Sequence, residues 1–224
     1  MSRSNQSNSN SLPNPCQVWY EWSGKNGNLK HYDKVSAKSI DTEVSPAPFS
    51  FILLDEFSTV KGWHDVSQSS IWANEVKNTG TSPLRVSAFK GGVLVEGLYK
   101  DIKDKVNALG GSYVKNLYIT SEDGVISSLA LKGSALSAWM DFVKEKGNDK
   151  GIYDKAITIS GSVTGKKGSV TFKTPKFELV EITPDQEKNA IVLDKKLQEF
   201  VESKSKVLVE VEEVEVVDDL AGIF

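Results

Sequence analysis

Cysteine occurs once in the 224 residues, as Cys16, and histidine twice, as His31 and His64. One thiol cannot close an internal disulfide, and a thiol with two imidazoles is a poor set for a zinc or multi-histidine centre, so no metal is expected. No stretch reaches the roughly 18 uninterrupted apolar residues of a membrane span. The opening MSRSNQSNSNSLPNP has no apolar h-region, so no secretory signal is expected and a reducing, cytoplasmic location is. P-loop, GxGxxG, GxSxG and HExxH patterns are all missing, which argues against an enzyme and against a bound cofactor. Asp55 and Glu56 are adjacent carboxylates of the kind two-metal nucleases use. In a strand, however, neighbours point to opposite faces and cannot line one site without a bulge. His64 has no nucleophile or acid at a spacing that would make it a general base.

Charge is unevenly spread. The net −3 divides into +1 over residues 1–48, +2 over 49–182, zero over 183–206 and −6 over 207–224. The last block holds Glu210, Glu212, Glu213, Glu215, Asp218 and Asp219 and no base. A run of like charge at a terminus stays solvated and commonly serves as an interaction tail.

Residues 1–15 are Ser, Asn, Pro and Gln in the main, too polar to offset the entropy of ordering, and read as a disordered arm. QVWYEW, GKNGN and LKHY then read as a hairpin over 17–32. FSFILLDEFSTVKGW, residues 49–63, is the most apolar run and reads as a buried strand. LRVSAFKGG (84–92) reads as another. Leu98, Ile102, Val106 and Leu109 have helical spacing, with Gly110 as the stop. YVKNLYIT and VISSLALKG flank the turn Ser121–Gly124. A second helix is expected over 134–147, with Leu136, Trp139, Met140 and Val143 on one face and Gly147 ending it. AITISGSVTG, KKGSVTFKT and PKFELVEI form a closing hairpin turning at Lys166–Lys167. Thr183, Pro184 and Gln186 make a capping box for a helix running to about Val201, with a Ser203–Lys206 linker after it. This pattern is mainly β with two or three helices (α+β). It suits an OB-type Greek-key barrel over 16–182, with a β-sandwich as the alternative, followed by the 183–206 helix and linker and the 207–224 tail.

Binding a single nucleic-acid strand requires cations along the phosphates and exposed aromatics under the bases. Lysines and aromatics lie close together at Lys61-Gly62-Trp63, Phe89-Lys90, Tyr99-Lys100, Lys115 with Tyr118, and Lys166-Lys167 followed by Phe172-Lys173, and Arg85 adds a cation on the strand leading to Phe89. The glycines beside Trp63 and Phe89 would let a ligand backbone approach. Lys166 and Lys167 would form a basic hairpin tip.

The end of the chain, VVDDLAGIF, is an acidic run closed by a hydrophobic tip and a terminal Phe224. It resembles the partner-docking tail of bacterial and phage single-stranded DNA-binding proteins, with Ile223 where the bacterial tail has proline. FILLDEFSTVKGWHDVSQSSIWANEV and LKGSALSAWMDF are similar to the bodies of the tailed-phage members, over roughly 49–182. The resemblance implies an OB-fold protein that coats single strands in replication, recombination and repair. It implies that Asp218, Asp219, Leu220, Ile223 and Phe224 dock replication proteins, Phe224 filling an apolar pocket while the acids meet a basic rim. Two rivals follow from the same residues: a phage assembly protein making only protein contacts, and a metal-dependent nuclease using Asp55 and Glu56. VLVEVEEVEVV alternates Val and Glu, more strand-like than a disordered acidic linker, and could pair with a sheet edge.

Overall fold

A computed structural model describes residues 12–33, 37–44, 47–146 and 151–221. The chain forms β1 (Val18–Ser23), β2 (Asn28–Asp33), β3 (Lys38–Thr42), β4 (Phe49–His64), β5 (Ser69–Ala73), β6 (Leu84–Ala88) and β7 (Gly92–Gly97). Then follow α1 (Tyr99–Ala108), β8 (Gly111–Thr120), β9 (Ile126–Leu131), α2 (Gly133–Lys146), β10 (Ala156–Lys167), β11 (Val170–Val180) and α3 (Pro184–Ala221). The strands make one mixed sheet in the order β3-β2-β1-β9-β8-β4-β5-β6-β7; β1 and β9 are its parallel pair, and β10–β11 branch from β4.

β4 organises this arrangement. Its 16 residues are long enough to serve two neighbours on one edge. Phe49–Ile52 pair with β10 and Lys61–His64 with β5, while the opposite edge runs along β8. Between the branches, Val76 exchanges backbone hydrogen bonds with Ser58 at 2.8 and 2.9 Å. The β10–β11 hairpin curls towards the β1–β2 turn, where the Lys173 N–H donates to the Gly24 carbonyl at 2.7 Å and the Trp22 indole donates to the Lys173 carbonyl at 2.9 Å. No ladder joins these segments among the described residues, so the expected closed barrel is not formed.

Strand alternation sends neighbouring residues of β4 and β8 to opposite sides. Leu53, Leu117, Ile119, Leu129 and Leu131 meet Trp139 and Phe142 of α2 on one face. Ile52, Leu54, Phe57 and Tyr118 meet Ala190, Leu197 and Phe200 of α3 on the other. At the far end of β4, Val60, Ile71, Leu84 and Val86 pack against Ile102 and Val106 of α1. The α2 face differs from the expected stripe. Trp139, Phe142 and Ala135 are buried, whereas Met140 is 54% exposed, because the sheet meets the helix along the 135-139-142 line. Gly147, the expected stop, lies outside the described residues.

α3 begins as its capping box requires. The Thr183 N–H donates to Gln186 Oε1 at 2.9 Å and the Gln186 N–H to Thr183 Oγ1 at 3.3 Å, with Pro184 first in the helix. It does not stop near Val201. The backbone continues helical through Ser203–Lys206 and the Val/Glu run to Ala221, so a helix replaces both the linker and the expected strand. Once nucleation is met by a capped, packed first half, each added residue gains a hydrogen bond at little cost, and a two-residue alternation without a partner edge cannot compete. Asp218, Asp219 and Leu220 therefore fall in the last turn of α3, while Ile223, Phe224 and most of the Ser/Asn-rich arm (residues 1–11) lie outside the described residues. No helix among the described residues is long and apolar enough to cross a membrane.

Candidate nucleic-acid interface

On the side of the sheet that carries α3, no element among the described residues covers the β4–β7 end. α1 occupies the back of this end through Val60, Ile71 and Val86, so the alternate residues face out. Lys61 pairs with Trp72 across β4–β5, Trp63 with Ser70, and Trp72 with Ser87 across β5–β6. Trp63 and Trp72 are thus diagonal neighbours, which sets them about 7–8 Å apart. Arg85 lies two residues before Ser87 and Phe89 two after it. The three rings are the most exposed aromatics of this end, at 50% for Trp63, 51% for Trp72 and 77% for Phe89. Trp72, Arg85, Ser87, Phe89, Val93 and Glu96 line an open cavity of about 470 Å³.

The local backbone holds this platform stiffly. A Cβ on Gly62 would meet the Gly110 carbonyl oxygen at 2.1 Å, and one on Gly110, whose φ is +89°, would meet the Trp63 carbonyl at 2.2 Å. Gly62 therefore serves a close backbone crossing that seats Trp63, not the approach of a ligand. The loop carrying Phe89 is pinned by a side-chain chain. His64 Nδ1 and Ser67 Oγ are 2.8 Å apart, Ser67 Oγ and Ser69 Oγ 2.8 Å, and the Lys90 N–H donates to Ser69 Oγ at 3.1 Å. His64 is thus a brace between two loops. The ammonium end of Lys61 is partly desolvated, which lowers its pKa, and Glu75 and Glu21 act in the opposite direction.

Of the residues singled out in the sequence, Lys61, Trp63, Arg85, Phe89 and Lys90 come together here. The others do not. Tyr99 packs on Tyr113, ring centroids 4.8 Å apart, over the α1 side, and Lys100 belongs to the same helix. Lys115 is buried against Glu56 at 2.9 Å. Tyr118 is 4% exposed and donates to Glu75 Oε2 at 2.9 Å; burial, then the Glu75 charge, push its pKa upward. The turn of the last hairpin falls on Gly168-Ser169, so Lys166 and Lys167 are the final residues of β10, on opposite faces. Phe172 covers Gly165, where an added Cβ would meet its ring at 2.6 Å. Lys173 is occupied by the β1–β2 turn, its ammonium 3.1 Å from the Asn26 carbonyl. These four residues lie beyond the Phe49 end of β4, at the opposite end from the platform.

Trp72 was missed. Ser69-Ser70-Ile71-Trp72-Ala73 alternates buried and exposed side chains along β5, a period-two signal only five residues long. The carboxylates behind the nuclease rival are already engaged. Asp55 accepts from Lys77 Nζ, from Gln198 Nε2 at 3.1 Å and from the Glu56 N–H at 2.7 Å. Glu56 points to the other face and accepts from the Trp139 indole at 3.1 Å as well as from Lys115. Cys16 is buried in the α3 core, its thiol pushed up to about 12 by desolvation. Compared with known proteins, the chain matches no family model, no curated protein and no solved structure.

Proposed function

We propose that the protein binds single-stranded DNA on the β4–β7 platform. The observation that carries this reading is the outward set Trp63, Trp72 and Phe89 with Lys61, Arg85 and Lys90 around it. Half-exposed rings that a stiff sheet prevents from collapsing offer π-faces to unpaired bases, and the cations meet the phosphates. Coating and protecting strands in phage-type replication, recombination and repair follows from the family resemblance, as does recruitment of replication proteins through the acidic C-terminal residues. The reading needs a face and not a closed barrel. An OB-type barrel presents such a face from a ring of strands, and an open sheet backed by α1 can present the same one.

The test is intrinsic tryptophan fluorescence on titration with a dT oligonucleotide at several salt concentrations, checked by gel shift. Saturable quenching whose affinity falls as salt rises is expected. No quenching and no shift would retire the proposal. The free edge of β7, which pairs only with β6 among the described residues, favours a second reading: an assembly protein whose β-domain makes only protein contacts. That reading predicts a discrete oligomer and no oligonucleotide affinity.

A further inference from the structure

A carboxylate stands within this aromatic, cationic surface. Glu96 faces Arg85 across β6–β7, Oε2 to Nε 3.7 Å, with both side chains half exposed. On a surface that only followed phosphates, a carboxylate would repel the ligand. Its place is also specific, because it lines the same cavity as Trp72 and Phe89. An ion pair of that length and exposure is weakly held, so a ligand edge can enter between its partners. The strands beneath need not move. The Arg85 N–H is fixed to Asn74 Oδ1 at 2.7 Å, and Asn74 Nδ2 to the Pro83 carbonyl at 3.1 Å.

An unpaired base stacked on Trp72 or Phe89 can turn its Watson–Crick edge to the cavity wall. Guanine alone among the four DNA bases carries two adjacent donors there, N1–H and the 2-amino group, beside the O6 acceptor. One carboxylate accepts both in parallel, and a guanidinium can donate to O6. Thymine offers one donor between two acceptors, and adenine and cytosine offer one exocyclic donor beside an acceptor. Each of these leaves a carboxylate oxygen facing an acceptor or nothing. We propose that the cavity is a guanine-preferring base pocket, with Glu96 as its specificity-determining residue and Arg85 as the partner of O6. The proposal rests on the single-strand reading above.

The test uses three oligonucleotides of equal length: all dT, dT with one central dG, and dT with one central deoxyinosine, which lacks the 2-amino group. Affinities are measured by fluorescence anisotropy for the full chain and for Glu96→Gln. The dG strand should bind at least about fivefold tighter than all dT, with deoxyinosine between them. Glu96→Gln should bind all three alike. Equal dG and dT affinities in the native chain overturn the pocket, as does a preference that survives in Glu96→Gln. Loss of dT binding in that variant would show Glu96 acting through structure and would also overturn it. If the native chain binds none of the strands, the parent reading has failed, a result distinct from binding without preference.

Discussion

Replacing Trp72 by alanine isolates the central ring of the platform. Its side chain is 51% exposed and faces Lys61 on one neighbour and Ser87 on the other, so truncation empties surface and leaves the core of Val60, Ile71 and Leu84 in place. One stacked base contributes about 1–3 kcal/mol, which sets the expected loss of affinity for dT at about 5- to 150-fold with little change in unfolding temperature. The salt slope should stay the same, because no phosphate contact is removed. Attribution of the optical signal can be worked out from burial. Trp22 and Trp139 are 5% and 1% exposed and cannot stack on a ligand without unfolding, which leaves Trp63, Trp72 and Trp19 as reporters. The double variant Trp63→Phe, Trp72→Phe keeps two rings for stacking while removing two of the three. It should bind nearly as well as the native chain with most of its quenching gone. If full quenching persists in this variant, or if Trp72→Ala binds dT at native strength, the bases do not sit on the platform and the reasoning is wrong.

Gly62→Ala should lower stability by about 2 kcal/mol or more and weaken DNA binding along with it, because its Cβ meets a carbonyl oxygen at 2.1 Å and β4 must draw back from Gly110, shifting Trp63; thermal unfolding and the dT titration measure the two effects. Lys166→Ala with Lys167→Ala should leave dT affinity and its salt slope unchanged, since both lysines lie at the other end of β4; a slope reduced by one or two would bring the hairpin into the site. The Cys16 thiol, raised to about 12, should resist a disulfide-exchange reagent at pH 8 until the chain is unfolded. Its folded value lies above its unfolded one, so its contribution is complete below the ordinary thiol range and is lost as pH rises towards 12. Denaturant midpoints should accordingly fall over that window, and less steeply in Cys16→Val.

Much of the architecture could be read in local pattern. The first hairpin, the buried run at 49–63, the helix ending at Gly110, the turn at Ser121–Gly124 and the Thr183 capping box all occur where their residues indicate. Each is encoded within about a dozen residues. What was hidden depends on long-range pairing. The short elements β3, β5 and β7 are recognisable only through their neighbours, and with β5 went Trp72. Lysine beside an aromatic is what strand alternation produces on any half-buried sheet, so the same signature marks Lys61 and Trp63 on the open face and Lys115 and Tyr118 beneath the helices. Met140 looked buried because helical spacing gives the width of a stripe and not its centre. Sheet closure depends on whether β11 meets the β1–β2 turn in a ladder or at one backbone bond, and nothing in Lys173 or Gly24 decides that.

The exposed aromatic end of the sheet is also tightly built, and the two properties depend on each other. Large rings left exposed on a yielding surface would fold down onto it, since burial of apolar area drives them there. Here they have nowhere to go. Behind them Val60, Val86 and Val106 fill the space to α1, and the crossing of Gly62 with Gly110 fixes the backbone on which Trp63 stands. The His64–Ser67–Ser69 chain holds the loop of Phe89 to the neighbouring hairpin. Ordering cost is met by folding, so a ligand that stacks on these rings need not meet it again. His64→Ala should therefore weaken dT binding by loosening the loop that carries Phe89. In a Phe89→Ala background the same substitution should have no further effect, and a double-mutant cycle showing independent losses would separate the brace from the platform.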